Sequence, residues 1–385
     1  MIAPGSRLGP CEILSADEVS FTSDGIPNTF GRQRMRSMKT IAAVFSIAAA
    51  IALLNPLSLT AQRESSAKAG RTLKTAWGHP DLQGVWDFST NTPLQRRLEL
   101  KDKTQLTDAE AAEQFEEAVT QRTRQDNGPS RKGDTGTYNR FWTDDPRVTT
   151  KQTSLVVDPP DGRIPAYTPQ AQKWYADTQA ARKGVTADAP TPGGFVEDLG
   201  PRHLFVRCLV GFNAGPPINP QSYNQNVQIF QGPDHVALLH EMVHNARVVW
   251  LDGRPHASNR IAQYNGDSRG RWDGDTLIVE TTNFGKEVYD PSYSGGGMRP
   301  NVNGTFKLVE RFTRTGPDVL EYQFTINDPT WYTAPFTAKI PMTRNPKPLY
   351  EFACHEGNYS LPGILEGARR QEAETAKQRT NPSSK

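Results

Sequence analysis

His240-Glu241-Met242-Val243-His244 has the H-E-x-x-H spacing that zinc peptidases use to seat a metal ion. On a helix, two histidines four apart lie one above the other and can share an ion. On a strand they share a face but stand roughly 13 Å apart, at about 3.3 Å per residue. The neighbours favour the strand. Gly232-Pro233-Asp234 is turn sequence, and Ala246-Arg247-Val248-Val249-Trp250-Leu251 is β-branched and aromatic before Asp252-Gly253. Arg247 also occupies the place where the longer metal pattern needs glycine. The sequence therefore assigns no metal ligands and no cofactor, and keeps a zinc hydrolase only as an alternative.

Read as one strand from 235 to 251, the segment puts Leu239, Glu241, Val243, Asn245, Arg247 and Val249 on one face. Leu238, His240, Met242, His244, Ala246 and Val248 take the other. Either face would carry ionisable groups inward, where they must be paired or serve chemistry. Glu241 and His244 are the acid–base candidates here, and Arg247 is a substrate-binding candidate. A structural pair, Glu241 with Arg247 or across strands, is the plain alternative.

Other stretches supply more candidates. In "TFKLVERFTR", Glu310 shares a face with Phe306, Leu308 and Phe312, and Glu280 sits similarly with Ile278 and Phe284. A carboxylate in an apolar row is either paired with arginine or held for proton transfer. "GDSRGRWDGD" reads as a loop that packs Asp267, Arg269, Arg271 and Trp272 together, and arginine beside tryptophan suits a planar ligand. Asp267 and Glu310 are expected to act as acid or base, and Arg269, Trp272, His256, His355 and Tyr359 to bind substrate. An ordinary hairpin turn explains the Asp-Gly-Asp equally well. His79, His203 and His235 read as surface histidines. The sequence has no phosphate-cradling glycine loop and no G-x-S-x-G elbow.

Short β-like runs must position these residues. From Tyr223 onward "NVQIFQ", "HVALLHEMVHNARVVWL", "DTLIVETTNF", "TFKLVERFTR", "VLEYQFTIN", "PFTAKIPM" and "LYEFAC" follow one another across turn signals. Strands without intervening helices predict a mainly β chain, an antiparallel up-and-down barrel closed by an early strand around Trp86, with a sandwich as the alternative. Helices are expected after Thr107 and Thr168 and over the polar C-terminus. Residues 124–136 and 184–201 read as loops.

The 385 residues are 22% charged and 36% hydrophobic with a net charge of +2, which does not suggest a nucleic-acid partner. Basic "RQRMRSMK" followed by apolar "TIAAVFSIAAAIALL" reads as a signal peptide over 35–61, with translation starting at Met35 or Met38; an uncleaved anchor is the alternative. The division expected is an extension and leader (1–61), a lead-in (62–80), one barrel domain (81–370) with helical insertions at 105–183, and a polar tail (371–385). Such a protein would be periplasmic or secreted, without stable membrane insertion after cleavage. In an oxidising compartment Cys208 and Cys354 would form a disulfide; two buried thiols are the alternative.

"DLQGVW", "VDPPDGRIP", "EMVHNARVVWLDGRPH", "GDSRGRWDGDTLIVETTNF" and "YEFACHEGNYSLPG" together resemble a large family of exported bacterial proteins. The likeness covers nearly the whole chain after the leader. It implies no catalytic residues to carry over. In that family another residue often stands where His240 does, which weakens the zinc reading further. Gly84-x-Trp86 looks lipocalin-like, as a fold analogy. The expectation is an exported enzyme of lyase, isomerase or hydrolase type. It would work by acid–base chemistry on a small organic compound, with aromatic or plant-derived compounds among the candidates. A non-catalytic small-ligand-binding barrel is the alternative.

Overall fold

The computed structural model describes residues 73–127, 150–182, 203–221, 223–292 and 297–380. The expected leader, most of the 124–136 loop and the 184–201 loop lie outside them. The described strands are β1 (Gly84–Asp87), β2 (Val156–Asp158), β3 (Asn226–Gln231), β4 (His235–His240), β5 (Ala246–Trp250) and β6 (Asp267–Asp273). They continue with β7 (Thr276–Thr282), β8 (Glu287–Asp290), β9 (Gly297–Pro300), β10 (Lys307–Gly316), β11 (Val319–Asn327) and β12 (Phe336–Asn345). Nine of them form a closed barrel in the order β1-β3-β4-β5-β6-β7-β10-β11-β12, with β12 returning to β1 through Val85–Asn345. Closure leaves no exposed edge within the ring. β2 extends from the far half of β12.

Strict alternation builds the wall. Leu308, Glu310 and Phe312 on β10, and Leu320, Tyr322, Phe324 and Ile326 on β11, are all buried. They meet Trp86, Ile229, Leu238, Val249, Val279 and Ile340 in one core. All pairs in the ring are antiparallel except β5 with β6, which run parallel. The segment between them must therefore carry the chain back before β6 begins. Trp86 is fully buried and donates through Nε1 to the Leu82 carbonyl (2.8 Å), with the Arg314 and Arg344 guanidiniums 5.7 and 5.9 Å from its ring. Gly84 has φ +128°, and a Cβ there would meet the Arg344 guanidinium at 3.2 Å, so glycine is required.

The helices are α1 (Asp108–Asn127), α2 (Pro169–Arg182), α3 (His203–Val206) and α4 (Ser360–Thr380). Thr107 starts α1 in a capping box: its Oγ1 accepts from the Glu110 N–H (3.3 Å), and Glu110 Oε2 accepts from the Thr107 N–H (2.8 Å). Thr168 Oγ1 likewise accepts from the Ala171 N–H at 3.2 Å. Several expectations need correcting. "LYEFAC" forms no strand, the β8–β9 hairpin was not foreseen, the 266–275 stretch read as a loop is largely strand β6, and residues 124–127 continue α1 instead of starting a loop.

That hairpin is clasped to the barrel by Arg299, which is fully buried and bonds both Asp290 and Asp328 Oδ2, the latter at 2.7 Å. Tyr332 donates to Asp290, and the Trp331 ring lies 4.6 Å from the guanidinium. All three charged groups are at most 1% exposed, which makes the cluster a sealed fastening.

Cys208 and Cys354 are disulfide-bonded across a separation of 146 residues. The bond ties the segment after α3 to the irregular chain following β12. Replacing both by serine is expected to cost about 2–4 kcal/mol, because a long loop is then freed in the unfolded chain. Denaturant unfolding of the double variant measures this.

Candidate functional site

The H-E-x-x-H segment is neither a helix nor one strand. β4 ends at His240, a 3-10 turn spans Met242–His244, and β5 starts at Ala246. Val243 and His244 have φ of 49° and 43°, left-handed values that a β-branched valine rarely takes. The turn is held from outside: Met242 and Val243 are buried against Phe212, flanked by Phe205, Tyr223, Phe352 and Cys354. The disulfide-tied cap thus clamps the hairpin. Since the premise of a shared helical face fails, the two histidines are not stacked as zinc ligands would be. Among the described residues no group of three His, Cys, Asp or Glu is placed to hold a metal ion.

The turn also changes which residues face inward. On β4 the buried positions are Val236, Leu238 and His240; on β5 they are Arg247 and Val249. His240 and Arg247, assigned to opposite faces by the one-strand reading, both enter the barrel. Leu238 lies directly opposite Arg247, so His240 is Arg247's diagonal neighbour.

Arg247 is paired with Glu310 across the interior. Its Nη1 lies 2.5 Å from Oε2 and its Nη2 2.8 Å from Oε1. Tyr322 donates to Glu310 Oε1 (2.8 Å) and accepts from the Ile218 N–H (3.0 Å). Ser268 and Thr281 hydroxyls bond each other at 3.0 Å and lie 3.4 and 3.5 Å from Nη1. Burial works against the Arg247 charge, but the Glu310 carboxylate more than offsets it and raises the pKa. Burial and the same carboxylate push the Tyr322 phenol well above its usual value. His240 behaves oppositely: burial, then the Arg247 charge, drives it down to about 3, so it is neutral.

β5 and β6 pair only at Val249–Ser268 and Trp250–Arg269. Where they diverge, a cavity of about 550 Å³ opens, lined by Arg247, Trp250, Tyr264, Asp267 and Ser268 among others. Gly266 enters β6 with φ +67°; a Cβ there would meet Thr281 Cγ2 at 2.6 Å and the Thr282 carbonyl at 2.7 Å. Only glycine lets β6 lie this close to β7 beside the cleft.

On the outer side of β6, Asp267 organises a second set of groups. Its Oδ2 meets His256 Nδ1 at 3.0 Å and accepts from the Ala257 N–H at 2.8 Å. Its Oδ1 accepts from Arg269 Nη1 at 2.6 Å, while Arg269 Nε donates to the Pro255 carbonyl. Burial opposes ionisation of Asp267, but the Ala257 N–H, His256 and Arg269 together hold it below the usual carboxylate range.

Arg247 and Asp267 therefore line one cleft, with Glu310 behind Arg247, while His256 and Arg269 are tied to it through Asp267. Other expected site residues lie elsewhere. Glu241 is buried at the hairpin, where Asn226 Nδ2 donates to it (2.7 Å). His244 is exposed on the turn, its ring 6.2 Å from that of His355, which is also exposed. Tyr359 is 84% exposed. Trp272 packs on the core and stacks with His79 at 5.1 Å. Glu280 is exposed and faces Arg271 at 3.5 Å, so it does not converge with Glu310. Tyr322, Ser268 and Thr281 were missed, although Tyr322 follows the same alternation as Leu320 and Phe324.

No protein-family model, no curated protein and no solved structure matches the chain.

Proposed function

We propose that this protein is an exported enzyme that carries out acid–base chemistry, of lyase, isomerase or hydrolase type, on a small organic compound held in the β5–β6 cleft. The observation that carries the reading is the hydrogen bond from His256 to Asp267, whose carboxylate lines the cleft. A carboxylate on Nδ1 fixes the tautomer and orientation of an imidazole and steadies the imidazolium formed when it takes a proton. His256, with its side chain 30% exposed, is the proton acceptor; Asp267 positions it. Trp250 and Tyr264 line the cleft and give an aromatic ring apolar surface to pack on, although one face of Trp250 carries the Arg254 guanidinium, 4.1 Å from its centroid. Arg247 is already neutralised by Glu310, so the cleft suits a polar compound without a strong charge. The disulfide, and the lack among the described residues of a helix long and apolar enough to cross a membrane, support a periplasmic or secreted location.

Incubating the protein with a mixture of phenolic and aromatic carbonyl compounds, followed by mass spectrometry, tests this. One compound should be consumed and yield an isomeric, hydrated, cleaved or eliminated product, and His256→Ala should abolish the change. A compound retained by the protein but returned unaltered would favour the non-catalytic ligand-binding barrel, which the completeness of the Arg247–Glu310 pairing also supports.

A further inference from the structure

His240 is 2% exposed, and neither ring nitrogen has a hydrogen-bond partner. Leaving such atoms unpaired in a core costs free energy that an apolar side chain would not. The imidazole lies beside the edge of Phe88, with ring centroids 6.5 Å apart, and diagonal to Arg247, which itself lines the cleft. The Ser268 and Thr281 hydroxyls flank Arg247 on the same interior side. The unpartnered imidazole thus stands diagonally behind Arg247, the residue of the cleft wall next to it, with Phe88 at its side.

We propose that His240 is the inner end of the ligand site, where its neutral imidazole hydrogen-bonds an uncharged hydroxyl or carbonyl group of the bound compound. The inference rests on the cleft being the ligand site. A neutral imidazole offers one donor and one acceptor, so it can satisfy a phenol or a ketone but gives a carboxylate no countercharge. Its place next to an already paired arginine selects against a second anion in the same way.

Phenol is the probe. In the full chain, phenol titration should move the ring nitrogen resonances of His240 and quench Trp250 fluorescence. His240→Leu should weaken phenol binding about tenfold while raising the melting temperature, since two unpaired polar atoms are removed. His240→Gln, which keeps a donor and an acceptor, should retain most of the binding. His240→Leu binding phenol as the wild type does would overturn the proposal. So would phenol that perturbs Trp250 and leaves His240 unmoved, which would keep the cleft but remove its inner end. Phenol that perturbs neither would remove the cleft as well. His256→Ala should still bind phenol, which separates this inference from the catalytic reading.

Discussion

Glu310→Ala is expected to destabilise the protein by about 3–5 kcal/mol, read as a lower denaturant midpoint. The loss is not the strength of a salt bridge seen on a surface. Glu310 is fully buried and Arg247 nearly so, and both Glu310 oxygens accept from the Arg247 guanidinium. Removing the carboxylate strands a guanidinium in the barrel and takes away the acceptor of the Tyr322 hydroxyl. The same argument predicts that Arg247→Met in the Glu310→Leu background costs far less than the sum of the single variants. An apolar pair of similar volume removes the desolvation problem for both partners at once. Additive losses would mean that the two charges are not coupled.

Acid should unfold the protein through His240. In the folded state the imidazole resists protonation until about pH 3, whereas in the unfolded chain it takes a proton near 6.5. The unfolded state therefore binds the extra proton throughout this window, and stability falls as pH drops from 6.5 toward 3. At the acid end the difference corresponds to about 5 kcal/mol, at about 1.4 kcal/mol per pH unit. Urea midpoints between pH 7 and 4 should fall steeply in the wild type and much less in His240→Leu. Equal slopes would show that another group sets the acid limb.

The fold was legible where side chains alternate without interruption. β10 and β11 declare their inward faces in sequence, and Glu310 was placed correctly between Leu308 and Phe312. The disulfide was legible because, with Cys11 set aside in the expected leader, Cys208 and Cys354 are the two cysteines left. The hairpin at 240–246 was not legible. It contains no glycine or proline, and its left-handed residues are a valine and a histidine held there by packing against the cap. Missing the turn reversed the faces after it, which is why His240 was set against Arg247 and why Glu241 was put on the Arg247 face. The parallel β5–β6 step hid the cleft for a similar reason: nothing local in residues 251–266 shows that the chain returns before β6. Asp267, His256 and Arg269 were found by type and proximity in sequence, but the meeting of His256 and Arg269 on the Asp267 carboxylate beside the cleft is a product of that return.

The proposed chemistry depends most directly on His256 acting as the proton acceptor. Once a substrate is in hand, His256→Gly should lower turnover by about 10²–10⁴-fold, the usual contribution of a positioned acid–base group. Imidazole added to the solution should restore part of it, in proportion to its concentration. Turnover unchanged in a folded His256→Gly protein would contradict the account.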